Sequence, residues 1–214
     1  MRWASARIEA GTASRQTTRP SLELLLRASA YVEAEQVHGA GIAVIERADK
    51  FALPVSGCDG LLTASAGTAL FVRTADCLPV FFADGMRGVI GLAHAGWRGL
   101  STGLITRMVS AMGNYYHSQA KEIRVAIGPA IRSCCYVVGP EFERIFSRFI
   151  RQANGQRICD LIAVAIDQLQ RCGIPPANIF DSKHCTACEV KEWFSLRKEG
   201  PSTGRLTSFI MLRS

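Results

Sequence analysis

Short apolar runs rich in β-formers alternate along this chain with stretches of helical periodicity, which restricts it to a mixed α/β fold. The runs are Gly41–Glu46, Thr68–Arg73, Pro79–Ala83, Gly88–Ala93, Ile123–Ile127 and Thr207–Leu212. Between them, Ser101–Met112 puts Leu104, Ile105 and Met108 on one face and is expected to stop at Gly113. Pro140–Ile150 repeats Phe142, Ile145, Phe146 and Phe149 behind a first-turn proline. Ile158–Arg171 repeats Leu161, Val164, Ala165 and Leu169 ahead of Gly173. No internal repeat, low-complexity segment or linker divides the 214 residues. One domain over residues 21–214 is expected. Periodicity leaves the order of strands in the sheet open.

The formal net charge of +7 invites a nucleic-acid reading. Its distribution argues against one. Residues 1–20 net +3, residues 191–214 net +3, and the 170 residues between them only +1, without a basic stripe or helix face. The first twenty residues are rich in Arg, Ser, Thr and Ala and lack the apolar segment of a secretory signal. They are expected to form a disordered leader. No apolar stretch is long enough for a membrane-spanning helix. Eight cysteines in a chain of this length, without an export signal, point to a reduced, cytoplasmic protein rather than a disulfide scaffold.

Four histidines are present, two of them in settings that display side chains. His38, in Gln36-Val37-His38-Gly39, precedes an apolar strand; His94 sits where a strand runs into the Gly-bracketed turn Ala95-Gly96-Trp97-Arg98-Gly99. Cys77 lies between two apolar runs, next to Asp76. Two imidazoles and a thiolate suit Zn²⁺ with a fourth position left open. The alternative is a buried apolar Cys77 with hydrogen-bonded loop histidines. The spacings of 39 and 17 residues form no local metal signature and do not decide the matter. His184-Cys185-x-x-Cys188 offers only three ligands without a second pair, and is read as structural; adjacent Cys134 and Cys135 are badly placed for ordinary pairing. His117, in a polar loop after a helix, is expected to be exposed.

The strings QVHG (36–39), DGLLT (59–63), RTADCLPV (73–80), AHAGWRG (93–99), AIGPAIRSCCYVVGPE (126–141), HCTAC (184–188) and FSLRKEGPSTGR (194–205) resemble the YfiH-type family. It is also called the laccase-domain or multicopper polyphenol oxidase-like family, and it includes purine nucleoside phosphorylases. The resemblance is collinear from about Glu35 to the C-terminus. Residues 1–34 lack the Asn-Leu-Gly-like segment and Asn-Arg helix that such chains carry ahead of QVHG. The resemblance implies four α/β/β/α layers with two mixed β-sheets, and a zinc site of His38, Cys77 and His94. It also implies phosphorolysis of adenosine, inosine, guanosine and methylthioadenosine, with deamination of adenosine.

Phosphorolysis requires an anion site, and arginine's planar fork suits phosphate. Arg73 and Arg98 share motifs with the metal ligands, whereas Arg197 and Arg205 lie in the basic C-terminal segment. Asp76 is read as orienting a ligand or as a general acid/base, with a turn role as the alternative. Trp97 is placed to stack on a purine or to pack in the core. Three other readings compete. Two His and one Cys also match a blue-copper site, and copper is the alternative cofactor for a polyphenol oxidase; four histidines are too few for several coppers. A metal-free hydrolase would use Cys77 as nucleophile and His94 as base. An inactive homologue would keep the fold alone. Monomer and homodimer both remain open.

Overall fold

A computed structural model describes residues 7–17, 21–22, 26–47 and 54–213. In chain order its strands are β1 (Ile8–Thr12), β2 (Ala30–Glu33), β3 (Ile42–Ile45), β4 (Gly60–Thr63), β5 (Thr68–Thr74), β6 (Leu78–Asp84), β7 (Val89–Ala95), β8 (Arg124–Ile127), β9 (Val137–Val138), β10 (Ile150–Ala153), β11 (Gln156–Cys159), β12 (Ile179–Asp181) and β13 (Leu206–Leu212). They form a six-stranded mixed sheet ordered β12-β8-β6-β7-β4-β3 and a four-stranded mixed sheet ordered β1-β13-β5-β2. A small antiparallel sheet, β10-β11-β9, lies beside them. Pairs β3–β4, β12–β8 and β2–β5 are parallel.

Alternate side chains explain the stacking. On β6, Leu78, Val80 and Phe82 face the helices Leu104–Tyr116 and Leu161–Arg171, while Phe81 and Ala83 face the four-stranded sheet. On β5 and β13, Leu70, Val72, Ile210 and Leu212 meet the six-stranded sheet; Ala69, Phe71, Phe209 and Met211 point outward onto Leu22 and Leu26. The order is therefore helices, six-stranded sheet, four-stranded sheet and an outer cover that includes Leu22, Leu26 and Ala28, in keeping with the expected α/β/β/α layers in one domain. The two sheets bury both faces, so their strands read as unbroken apolar runs rather than alternating ones.

All six expected strands are present within two residues of their predicted bounds. Other boundaries differ. The helix expected at 101–112 is divided: Trp97–Ser101 ends, Gly103 turns the chain at φ +84°, and Leu104–Tyr116 continues through Gly113 to a left-handed cap at His117. The helix expected over 140–150 spans only Phe142–Phe146, and β10 begins at Ile150. Ile158 belongs to β11, and the next helix starts at Leu161 behind Asp160, whose carboxylate accepts the Ala163 N–H at 3.0 Å. The leader expectation needs the largest correction. Residues 8–12 are the edge strand β1, antiparallel to β13, with Ile8 and Ala10 buried; residues 1–6 and 18–20 lie outside the described residues. No helix among the described residues is long and apolar enough to cross a membrane.

Candidate metal centre

Four strand ends at one rim of the six-stranded sheet bring the site together. Register opposes Pro79 to His94 and Leu78 to Ala95, so Cys77, just before β6, meets the end of β7. On the other side of β7, Gly60 opposes Ala93, and the His94 N–H donates to the Asp59 carbonyl at 2.8 Å. His38 lies four residues before β3, the parallel neighbour of β4. Donor atoms of His38, Cys77 and His94 all lie within 4.8 Å of one another. The two imidazoles meet edge to face with centroids 4.7 Å apart. Gly96 permits this crowding: a Cβ there would sit 3.1 Å from Cys77 Sγ and 3.3 Å from His38 Cδ2.

One buried carboxylate organises both histidines. Asp59 Oδ1 lies 2.8 Å from His94 Nδ1 and accepts the His38 N–H at 3.0 Å, while Oδ2 accepts the Gly39 N–H at 2.7 Å. With Nδ1 engaged, His94 directs Nε2 away from Asp59, the arrangement in which a carboxylate fixes the tautomer of a ligating imidazole. Burial raises the Cys77 thiol, but hydrogen bonds from His38 and His94 outweigh it and hold the group at about 7. Burial lowers His94, whereas its bonds to Asp59 and Cys77 carry it up to about 9. A thiolate beside two imidazoles is thus electrostatically supported, the charge form in which cysteine binds a metal.

A cleft of about 480 Å³ opens on this cluster, with His38, Cys77, Trp97, Arg98, Tyr136 and Arg197 in its walls. Asp76 also lines it, at φ +87°, yet its carboxylate is occupied: Oδ1 accepts Thr186 Oγ1–H at 2.6 Å and Oδ2 the Arg197 N–H at 2.7 Å. The Arg98 guanidinium lies 4.5 Å over the Trp97 ring, and Arg197 lies 5.1 Å over Tyr136 while donating to the Val137 carbonyl. Arg73 and Arg205 are outside the lining. Arg73 pairs with Glu33 at 2.6 Å, and Arg205 donates to the Thr203 and Gly204 carbonyls.

The family model described as multi-copper polyphenol oxidoreductase laccase matches residues 9–213. The chain belongs to this family. Among its relatives, purine nucleoside phosphorylase YlmD of Geobacillus stearothermophilus is 37% identical over 195 residues, covering 84% of this chain and 71% of YlmD. Adenosine deaminase RL5, from an unknown prokaryotic organism, is 33% identical over 189 residues, covering 81% of this chain and 72% of RL5. The crystal structure of YlmD superposes with a TM-score of 0.92 at 31% identity, covering 98% of this chain and 93% of that one. The match therefore reaches well ahead of Glu35 and includes β1 and β2.

In this laccase-family chain, sequence reasoning placed no role on Asp59, Thr186 or Tyr136. Asp59 stands in DGLLT, and an acid directly before an apolar strand was the available signal. Thr186 and Tyr136 have none, because their contacts with the cleft span long separations. His117 is exposed, as expected.

Proposed function

We propose that this chain is a zinc-dependent purine nucleoside phosphorylase acting on adenosine, inosine, guanosine and methylthioadenosine, and that the same site deaminates adenosine. The observation carrying this reading is the cluster of His38, Cys77 and His94 donor atoms beside one cleft, lined by His38 and Cys77, with buried Asp59 behind His94. The donor set fits zinc: two imidazoles and one thiolate leave the open position of a catalytic site. The names of YlmD and RL5 support the substrate class. Bound zinc supplies Lewis acidity that makes water nucleophilic near neutral pH, as deamination at the purine C6 requires.

The remaining work falls to side chains. Arg98 and Arg197 bring positive charge to the cleft walls, suited to phosphate and to the negative charge growing on a departing purine. Trp97 and Tyr136 provide aromatic surface for a base. Asp76 acts as a positioning residue that accepts the Arg197 backbone N–H, since both its oxygens are already bonded. With Arg73 and Arg205 engaged elsewhere, the phosphate role is assigned to Arg98 and Arg197.

Cys77, His94 and Asp59 also align as nucleophile, base and orienting carboxylate, which keeps the hydrolase as a second reading. A nucleophile needs one base, however, and here two imidazoles converge on one sulfur, as metal binding requires. The blue-copper reading needs a weak axial ligand such as Met. No methionine lines the cleft among the described residues. Purified protein is expected to release adenine from adenosine only with phosphate present, to lose that activity to a chelator, and to regain it with zinc. His94→Ala should abolish it. Stoichiometric copper with phenol oxidation and no phosphorolysis would overturn the proposal; metal-free protein that is alkylated at Cys77 and cleaves an acyl ester would favour the hydrolase.

A further inference from the structure

The fold supplies the pair of thiols that Cys185-x-x-Cys188 lacks in sequence. Cys134 and Cys135 sit in the turn after β8, where the Cys135 and Tyr136 N–H groups both donate to the Arg132 carbonyl at 2.9 Å. A bridge between Ala130 and Cys185 holds this turn against the 185–189 turn. Sulfur atoms lie 3.5 Å apart for Cys134–Cys185, 3.5 Å for Cys134–Cys188 and 3.3 Å for Cys135–Cys188, and all four are within 4.8 Å of one another.

We propose that Cys134, Cys135, Cys185 and Cys188 form a second, structural zinc site that clamps the turn after β8 to the 185–189 turn. Four thiolates at about 2.3 Å from one tetrahedral ion are roughly 3.8 Å apart, so the observed cluster needs only a small expansion to receive it. The spacing suits a single ion. Four sulfurs around one point, with none farther than 4.8 Å from another, leave no room for several metal atoms between them. Each turn also has polar ties of its own. Arg132 forks onto Asp181 with two bonds of 2.8 Å, and the Glu189 carboxylate accepts the Cys185 N–H at 3.0 Å. His184 is not among the clustered donors, and its Nδ1 is 2.7 Å from Glu189 Oε2.

The region has reason to need such a clamp. Its buried apolar cluster consists of Ile131, Cys185 and Ala187, too few to hold two long loops by apolar burial alone. Those loops reach the cleft. The Ile131 N–H donates to the Asp76 carbonyl at 2.9 Å, Thr186 bonds the Asp76 carboxylate, and Tyr136 follows Cys135 directly. The site is independent of the catalytic reading, since it shares no ligand with His38, Cys77 and His94.

The test is metal content of the full chain, purified with reductant and one added equivalent of zinc per site. A Cys77→Ser/His94→Ala variant, which lacks the first site, should retain about one zinc per chain. Adding Cys134→Ser and Cys188→Ser should remove it. Should the quadruple variant fail to fold, the double variant keeps the test open. There, four thiols should resist a thiol reagent until a strong chelator extracts the zinc, and cobalt exchanged for zinc should give intense thiolate-to-metal absorption. Absence of zinc from the folded double variant, four freely reactive thiols, iron in place of zinc, or a disulfide among the four in peptide mapping would overturn the proposal.

Discussion

At the residue scale, Asp59 connects the most chemistry for one side chain, because a single carboxylate holds the backbone at His38 and Gly39 and the ring of His94. Asp59→Asn keeps the shape but puts an amide donor where only donors face it. The expected result is metal binding weaker by about 10–100-fold, read by competition with a chromophoric chelator; unchanged affinity would remove Asp59 from the support of the site. Asp181 controls a separate acid response. Burial pushes its carboxyl up, but the Arg132 fork and the Lys183 bonds outweigh that and hold it at about 2. A depressed carboxylate stabilises the fold above its unfolded value near 4, and that contribution is lost as pH falls from about 4 through about 2. The loss should amount to about 2 kcal/mol in urea titrations. Asp181→Asn should flatten this stretch of the pH profile, and an equally steep variant would refute the assignment.

At the scale of elements, the chain's ends of helices and strands were the hardest to place from sequence. Leu161–Arg171 begins where Asp160 accepts a backbone N–H, not where its apolar repeat begins, because Ile158 and Cys159 complete β11 first. Asp160→Ala should cost about 1 kcal/mol of stability in urea unfolding. No loss would show that tertiary packing alone sets this helix start. Gly113 does not end its helix, since a mid-helix glycine costs only about 1 kcal/mol and the preceding Met108 and Met112 are fully buried in the core. The terminator is His117, whose left-handed backbone closes the last turn with a 2.9 Å bond to Gly113. The short strands β2, β4, β9, β10, β11 and β12 carry two to four residues each, too few for a period to be read.

At the scale of the molecule, the basic ends that suggested a loose leader are tied to each other. β1 lies on β13, Arg15 pairs with Glu199 at 3.1 Å, and Arg213 pairs with Glu9. Exposed pairs contribute little, so the strand and its buried Ile8 and Ala10 matter more than the charges. A chain beginning after Thr12 should melt several degrees lower and aggregate more readily, because β13 becomes an exposed edge. An unchanged melting temperature and a monodisperse profile would restore the leader reading.

Local features are legible in the order of amino acids alone: apolar runs alternating with helical repeats make the class α/β, and the residues of each motif are chain neighbours. His38, Cys77 and His94 were legible as a donor set only as types at suggestive junctions. The tertiary structure decided that they meet, that Asp59 stands behind them, that Arg98 and Arg197 line the cleft while Arg73 and Arg205 do not, and that Cys134 and Cys135 find Cys185 and Cys188. The physical reason is that side-chain periodicity reports which face of a strand is buried and not which strand lies beside it. In the order β12-β8-β6-β7-β4-β3 the neighbours come from distant parts of the chain, so the chemistry at their shared rim exists only once the sheet has formed.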